Sequence, residues 1–330
     1  MNVLELYSGI GGMQLALKES GVDGRIIAAL EINTIAIEIY KHNFPEANLL
    51  NANIEGLTAE FVNKLNVNTI LMSPPCQPFT RNGLQNDVND KRTASFLHVL
   101  SLLKDLDIRN ILIENVKGFE TSTMRNILVD TLNENGYTFQ EFLLTPQQFG
   151  IPNSRLRYYC LAKKLPEQFS FKITDMKHSL PVEIEAADCF PISTILDDDV
   201  NETFYLSDSI LQKYCNIIDI CYKHSKRSCC FTKAYGRFIE GTGSIFTDKT
   251  EEEVEKVYLQ ANQLTDTAVK GQLLKNLGLR FFTPKEVCRL MSFPDTYSFP
   301  TSVSDKKKYM VLGNSINVKV VSELIKLLYS

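Results

Sequence analysis

The chain has 330 residues, 44% hydrophobic and 22% charged, with 35 Lys and Arg against 39 Asp and Glu for a formal net charge of −4. These proportions exclude a mainly disordered or collagen-like chain and leave length for a real core and roughly two domains. Apolar runs of only a few residues exclude a membrane span, and the mild acidity argues against coating nucleic acid by bulk charge.

The start, Met1-Asn-Val-Leu-Glu-Leu-Tyr7, lacks the basic, apolar and cleavage-site sequence of a signal peptide, so a cytoplasmic protein is expected, with the nucleus as second compartment. The eight cysteines then read as reduced thiols. With no Cys-x-x-Cys pair and four histidines, no metal site is expected.

In chain order, residues 3–7 read as a buried strand, 8–12 as a tight loop and 13–20 as a helix closed by Gly21. A strand at 26–30 and a helix at 34–42, stopping before Pro45, come next. The strand at 69–72 runs into Pro74-Pro75, which must leave regular structure. A helix at 93–106, a strand at 111–113 and a helix at 122–133 continue the rhythm. Strands at 137–144 and 158–162 have no helix between them, which predicts a terminal antiparallel pair. This alternation is the mark of an α/β fold with helices on both faces of a mostly parallel sheet.

After about residue 165 the rhythm breaks at Pro166, Pro181 and Pro191. Asp197-Asp198-Asp199 reads as a solvated loop, and 247–263 as a polar helix or mobile surface segment. Residues 318–328 have helical apolar spacing and are expected to pack back on the first domain, making it discontinuous. The expected division is 1–187 with 305–330 as one domain and 188–304 as a smaller second one.

Three short segments carry chemistry. In Tyr7-Ser-Gly-Ile-Gly-Gly12, glycines at a strand-to-helix turn let a ligand approach the backbone and the helix N-terminus. Glu31, about 20 residues on, sits where such folds place an acid for ribose hydroxyls. The glycine spacing is not the dinucleotide fingerprint, which makes a dehydrogenase remote. In Ser73-Pro-Pro-Cys-Gln-Pro-Phe79, prolines stiffen the loop around Cys76 and project a thiol beyond the sheet edge, as a nucleophile requires. Ile113-Glu-Asn-Val116 ends a later strand on the same edge and offers Glu114 as a proton donor whose pKa burial would raise.

In this order the three segments resemble the cytosine-C5 methyltransferases. Gln147-Gln-Phe-Gly-Ile-Pro-Asn-Ser-Arg-Leu-Arg157 resembles the family's Arg-x-Arg block. Residues 279–294, Leu-Arg-Phe-Phe-Thr-Pro through Phe-Pro, resemble the block before the last strand, and Gly313-Asn-Ser-Ile-Asn317 the closing Gly-Asn-Ser motif. Cys230-Phe-Thr232 with Ile239-Glu-Gly-Thr-Gly-Ser244 resembles the hallmark of the type-two DNA methyltransferase homologues. Asn51-Ala-Asn-Ile54 departs from the wider family in lacking an Asp.

The resemblance implies an S-adenosylmethionine-dependent, Rossmann-like mixed sheet with a target-recognition domain, and transfer of a methyl group to C5 of cytosine-38 in tRNA, chiefly tRNA-Asp, leaving S-adenosylhomocysteine. DNA would be a weak secondary substrate. Cys76 would add to C6, Glu114 would contact N3 and the exocyclic amine, Arg157 would reach the base carbonyl or the thiolate, and Arg155 would position the loop or backbone. Gly9, Gly11 and Gly12 would frame the methionine end, Glu31 the ribose, Tyr7 and Ile10 the adenosyl or sulfonium region, and Ile32 and Ile54 the adenine, with Ser315 near the same loop. Cys230, Thr232, Lys223 and Arg227 are the substrate-side candidates. The basic clusters at 223–227, 163–164 and 306–308 would together track phosphates around an acidic body. A monomer is the default expectation. The competing readings are a DNA cytosine-5 methyltransferase and a catalytically silent nucleic-acid-binding homologue.

Overall fold

The computed structural model describes residues 1–75, 93–182 and 188–330. Cys76 lies outside the described residues. Strands β1 (Asn2–Leu6), β2 (Arg25–Glu31), β3 (Leu49–Asn51), β4 (Thr69–Met72) and β5 (Asn110–Val116) run parallel. With β6 (Tyr137–Leu144) and β7 (Arg157–Lys164) they form one sheet in the order β3-β2-β1-β4-β5-β7-β6. Strand β7 is antiparallel to both its neighbours, as two strands without an intervening helix require.

The parallel strands are near-continuous apolar runs because both faces of the sheet are covered. Val3, Leu71 and Leu112 join one apolar cluster, whereas Leu4, Leu6, Ile70 and Ile111 join the other. Helices α1 (Gly12–Ser20) and α11 (Val318–Tyr329) supply the first face; α3 (Ala59–Lys64), α4 (Ala94–Leu102) and α5 (Thr123–Glu134) supply the second. Helix α2 (Thr34–Asn43) starts at Asn33, whose side chain accepts from Ile35 and Ala36 N–H. The 3.6-residue spacing of Val318, Val321, Leu324 and Leu328 buries that stripe of α11 against α1, so the end of the chain returns to the first sheet.

The remainder builds α6 (Asp208–Tyr214), β8 (Ile220–Cys221), β9 (Ile245–Phe246), α7 (Glu251–Gln263), α8 (Thr267–Lys275), β10 (Arg280–Phe281), α9 (Pro284–Leu290) and α10 (Asp305–Asn314). The segment 247–263 is largely the helix α7, begun by a reciprocal cap between Thr250 and Glu253. Two sequence expectations are corrected. No strand comes after Phe293-Pro294 among the described residues: the chain there forms the helices α10 and α11, because its buried residues recur at helical intervals, and β10 precedes them. Asp197 is only partly solvated: it accepts from Thr283 Oγ1 at 2.6 Å and from Arg289 at 2.7 Å, while Asp198 and Asp199 are exposed. The seven cysteines among the described residues are unpaired.

A buried ion pair anchors this second part. Arg280 donates to both carboxylate oxygens of Glu286 at 2.8 Å, and the same carboxylate accepts from Thr283 N–H at 2.7 Å and Asp197 N–H at 2.9 Å. Removing one member leaves a buried charge without compensation, which typically costs ~3–5 kcal/mol. Arg280→Ala is therefore expected to lower the urea midpoint by that loss of stability; a change equivalent to about 0.5 kcal/mol or less, the scatter of surface substitutions, would contradict it.

Candidate functional site

Strands β1, β2, β4 and β5 all end on one edge of the sheet, so residues 7–11, 31–33, 73–75 and 114–116 share it. Between β1 and β4 the strand order reverses, which opens a crevice at the carboxyl ends of the strands. A cleft of about 1100 Å³ lies there. Its wall is completed from the second part of the chain by Tyr214, Thr232, Lys233, Phe238 and residues 313–316.

Backbone geometry shapes the glycine loop. Tyr7 leaves β1 at φ 55°, a left-handed conformation that is uncommon for a bulky residue, and Gly9 and Gly11 adopt 54° and 87°. Glu31 holds the turn: its carboxylate accepts from Gly9 N–H at 2.8 Å, Ile32 N–H at 2.9 Å and Asn33 N–H at 2.8 Å. Three of about four acceptor positions are thus engaged, leaving one for a ligand hydroxyl. A Cβ on Gly11 would strike the Phe44 ring at 2.4 Å, and one on Gly12 would meet Ile316 at 2.6 Å. These two glycines serve close packing, and Gly9, with only its own loop backbone near a Cβ position, faces the cleft.

Beneath the loop, Glu5 on β1 is fully buried, accepts from Tyr40 OH at 2.7 Å and keeps Oε1 without a partner. Tyr40 OH also meets Gln14 Oε1. Burial, only partly offset by the Tyr40 hydrogen bond, pushes the Glu5 carboxyl up to about 8.

Across the cleft, the pairing of β5 with β7 sets Glu114 opposite Tyr159 and Val116 opposite Arg157. Glu114 and Arg157 are therefore diagonal neighbours on one face, and Arg157 Nε stands 3.5 Å from Glu114 Oε1. That is an ion pair too long for a hydrogen bond of normal strength. Burial raises the Glu114 pKa, while the Arg157 and Arg155 charges oppose the rise. Arg155 donates to Phe231 O at 3.2 Å and Gly313 O at 3.1 Å, and it also reaches Ser315 O. Cys230 Sγ lies 3.6 Å from Arg155 and 3.7 Å from Arg157. Burial pushes that thiol up, but the two guanidinium groups outweigh it and leave its pKa lowered. Asn115 Nδ2 donates to Pro74 O at 3.4 Å, tying the segment before Cys76 to the end of β5.

Of the residues singled out from sequence, Tyr7, Gly9, Ile10, Gly12, Glu31, Ile32, Glu114, Arg155, Arg157, Thr232 and Ser315 line this one cleft. Cys230 stands behind the wall, bonded to the two arginines. Ile54 is buried in the apolar cluster of the second face, outside the cleft wall. Lys223 and Arg227 are also outside it, paired with Asp248 at 2.7 Å and Asp219 at 2.6 Å. Lys163 is buried against Gln168 O and does not track a surface, and the half-buried Lys164 reaches Leu106 O. Sequence reasoning passed over Glu5 and Phe238. The signal for Glu5 was a charge inside an otherwise apolar strand, and for Phe238 its place beside the Gly-Thr-Gly segment.

Comparison with known proteins agrees with this architecture. The family model described as C-5 cytosine-specific DNA methylase matches residues 1–330. A Spodoptera frugiperda protein named tRNA (cytosine(38)-C(5))-methyltransferase is 54% identical over 330 residues, covering 99% of this chain and 98% of the relative. A Homo sapiens protein of the same name is 40% identical, covering 100% of this chain and 99% of the relative. The crystal structure of a Spodoptera frugiperda DNMT2 mutant superposes with a TM-score of 0.92 at 52% identity, covering 100% of this chain and 99% of that one.

Glu5 gives the site a stability signature. The native state keeps this proton until about pH 8, whereas the unfolded chain releases it near its ordinary value of 4.5. Rising pH therefore favours the unfolded state across that window, by up to ~1.4 kcal/mol per pH unit, and the loss levels off above it. Glu5→Gln removes the proton from both states. The stability difference between variant and wild type is expected to grow in favour of the variant from pH 5 to pH 8; parallel urea midpoints would refute the shift.

Proposed function

The chain belongs to the C-5 cytosine-specific DNA methylase family, and from that premise we propose that it transfers a methyl group from S-adenosylmethionine to C5 of cytosine-38 in the anticodon loop of tRNA, chiefly tRNA-Asp. The observation that carries the reading is the meeting of Glu114 and Arg157 in the same cleft as the Glu31-braced glycine loop. The tRNA substrate is supported by relatives 40–54% identical over nearly their full lengths that bear that name. It is also supported by cost: a base in an unpaired loop is extruded more cheaply than one in a duplex.

The cleft fits the cofactor. Gly9 exposes backbone, Glu31 retains an acceptor position, and Ile32 leaves 63% of its surface exposed on the wall. Gly9 and the start of α1 would hold the methionine end, Glu31 the ribose and Ile32 the adenine. When bound, the cofactor supplies an electrophilic methyl group and leaves as S-adenosylhomocysteine. C5 of cytosine is a poor nucleophile until the ring is activated. Cys76 would form a bond from its sulfur to C6, shifting electron density onto C5; loss of the C5 proton and expulsion of the thiolate then restore the aromatic ring. Glu114, whose carboxyl burial raises, would donate a proton to N3 and accept from the exocyclic amine. Arg157 supplies positive charge beside the base, and Arg155 pins the surrounding carbonyls. We propose 1–187 with 305–330 as the catalytic unit, and 188–304 as the recognition unit. The second reading, a DNA cytosine-5 methyltransferase, is favoured by the description of the family model itself.

Labelled methyl from the cofactor is expected to enter a tRNA-Asp transcript, and to be lost when cytosine-38 is replaced by uridine; label in duplex DNA alone would overturn the tRNA reading. Cys76→Ala should abolish turnover and any covalent RNA adduct while retaining cofactor binding. Glu114→Gln is expected to lower kcat by roughly 10²–10⁴-fold. Because the protonated acid is the working form, wild-type kcat/KM should fall as pH rises through the raised Glu114 pKa.

A further inference from the structure

The same cleft presents an aromatic group that the reaction described above does not use. Phe238 lines the wall with 55% of its surface exposed, and the Arg237 guanidinium lies 5.0 Å from its ring centroid. Its backbone is fixed: Phe238 N–H donates to Ala234 O at 3.0 Å, and its carbonyl accepts from Thr242 Oγ1 at 2.7 Å. The next residue, Ile239, is buried, so the ring is presented by a held backbone and not by a loose loop. Arg237 also differs from the basic run at 223–227. Lys223, Lys226 and Arg227 are paired with Asp248, Asp188 and Asp219, whereas Arg237 has no ion pair among the described residues. A second pairing of the same kind, Lys213 4.9 Å from the Tyr214 ring, belongs to the same wall through Tyr214.

An exposed ring joined to a guanidinium is what unpaired bases stack on, since every base has a π-face and the cation reinforces the stack. Glu240 on the same wall disfavours a phosphate there and offers an acceptor to a base amine. We propose that Phe238, supported by Arg237, is the stacking platform for an unpaired nucleotide flanking the target cytosine. It is a positioning residue for the nucleic acid, distinct from the groups that meet the reacting base, and the inference rests on the tRNA reading above.

The test is steady-state methylation of a tRNA-Asp transcript at several RNA concentrations. Phe238→Ala is expected to raise the KM for tRNA about 5- to 150-fold, the range for loss of one base–aromatic stack, with kcat at saturating RNA within about twofold. Phe238→Tyr and Phe238→Trp should stay within about threefold of wild type in KM, whereas Phe238→Leu should be as impaired as the alanine variant. Cofactor affinity and thermal midpoint should be unchanged in all four. A KM within twofold of wild type for Phe238→Ala, or a leucine variant as good as tyrosine, overturns the platform. Failure of the wild type to label tRNA at all would defeat the tRNA reading, and with it the substrate named for this platform; labelling by the wild type with an indifferent Phe238→Ala would defeat the platform alone.

Discussion

The antiparallel register of β5 on β7 is the constraint on which the site depends. It places Glu114 opposite Tyr159, and hence beside Arg157 two residues along the same face. A slip of one residue would send Arg157 to the other face of the sheet. Apolar alternation does not prevent such a slip, because both faces of β5 are buried among hydrophobic residues. The polar ends pin it instead: Lys164 N–H donates to Arg109 O at 2.8 Å at one end, with the Glu114–Arg157 pair at the other. Strand pairing thus does what a flexible loop would not, holding an acid and a cation in fixed relation at the mouth of a cleft.

Burial then gives that pairing its chemistry. Desolvation favours the neutral form of Glu114, and two nearby guanidinium groups favour the charged one. The opposition leaves the Glu114 carboxyl raised above its ordinary value yet still facing positive charge. Arg155 is held by carbonyl oxygens and not by a carboxylate; they engage its two terminal nitrogens without neutralising it, while its Nε stays buried without a partner. Those carbonyls belong to Phe231 and to the 313–315 turn, so one side chain ties its own segment to two others far apart in sequence. The alignment of the segment around Phe231 with the sheet edge is consequently coupled to the electrostatics of the acid.

The same physics governs which features were legible in the sequence. The parallel strands β1, β2, β4 and β5 could be read because burial on both faces leaves continuous apolar runs, and α11 because its buried stripe repeats at helical spacing. Strand β3 and helix α3 were not legible, being three and six residues long, too short for a period to register. The two-residue strands β8, β9 and β10 are set by tertiary contacts and leave no local pattern. Within the site, Glu31 was legible as a strand-end acid, but its reach to the Gly9 N–H depends on a left-handed turn at Tyr7 that the sequence does not announce. Lys223 and Arg227 show the converse. Their cationic run is plain in the sequence, while the carboxylates that meet it come from residues 219 and 248.

That pairing bears on how an acidic protein holds a polyanion. Exposed ion pairs of this kind are worth only about 0–1 kcal/mol, so a phosphate can displace Asp248 from Lys223, but each displacement sets free a carboxylate that repels the ligand. The net electrostatic gain from residues 223–227 is therefore smaller than their charge suggests. On a body of net charge −4, overall charge does not draw a polyanion in, so directed contacts inside the cleft gain weight in selecting the base. Contacts of that type, a stacked ring or a hydrogen-bonded base edge, are short-ranged and weakly screened, and they select an unpaired nucleotide over a helical one because only an unpaired base can present its face.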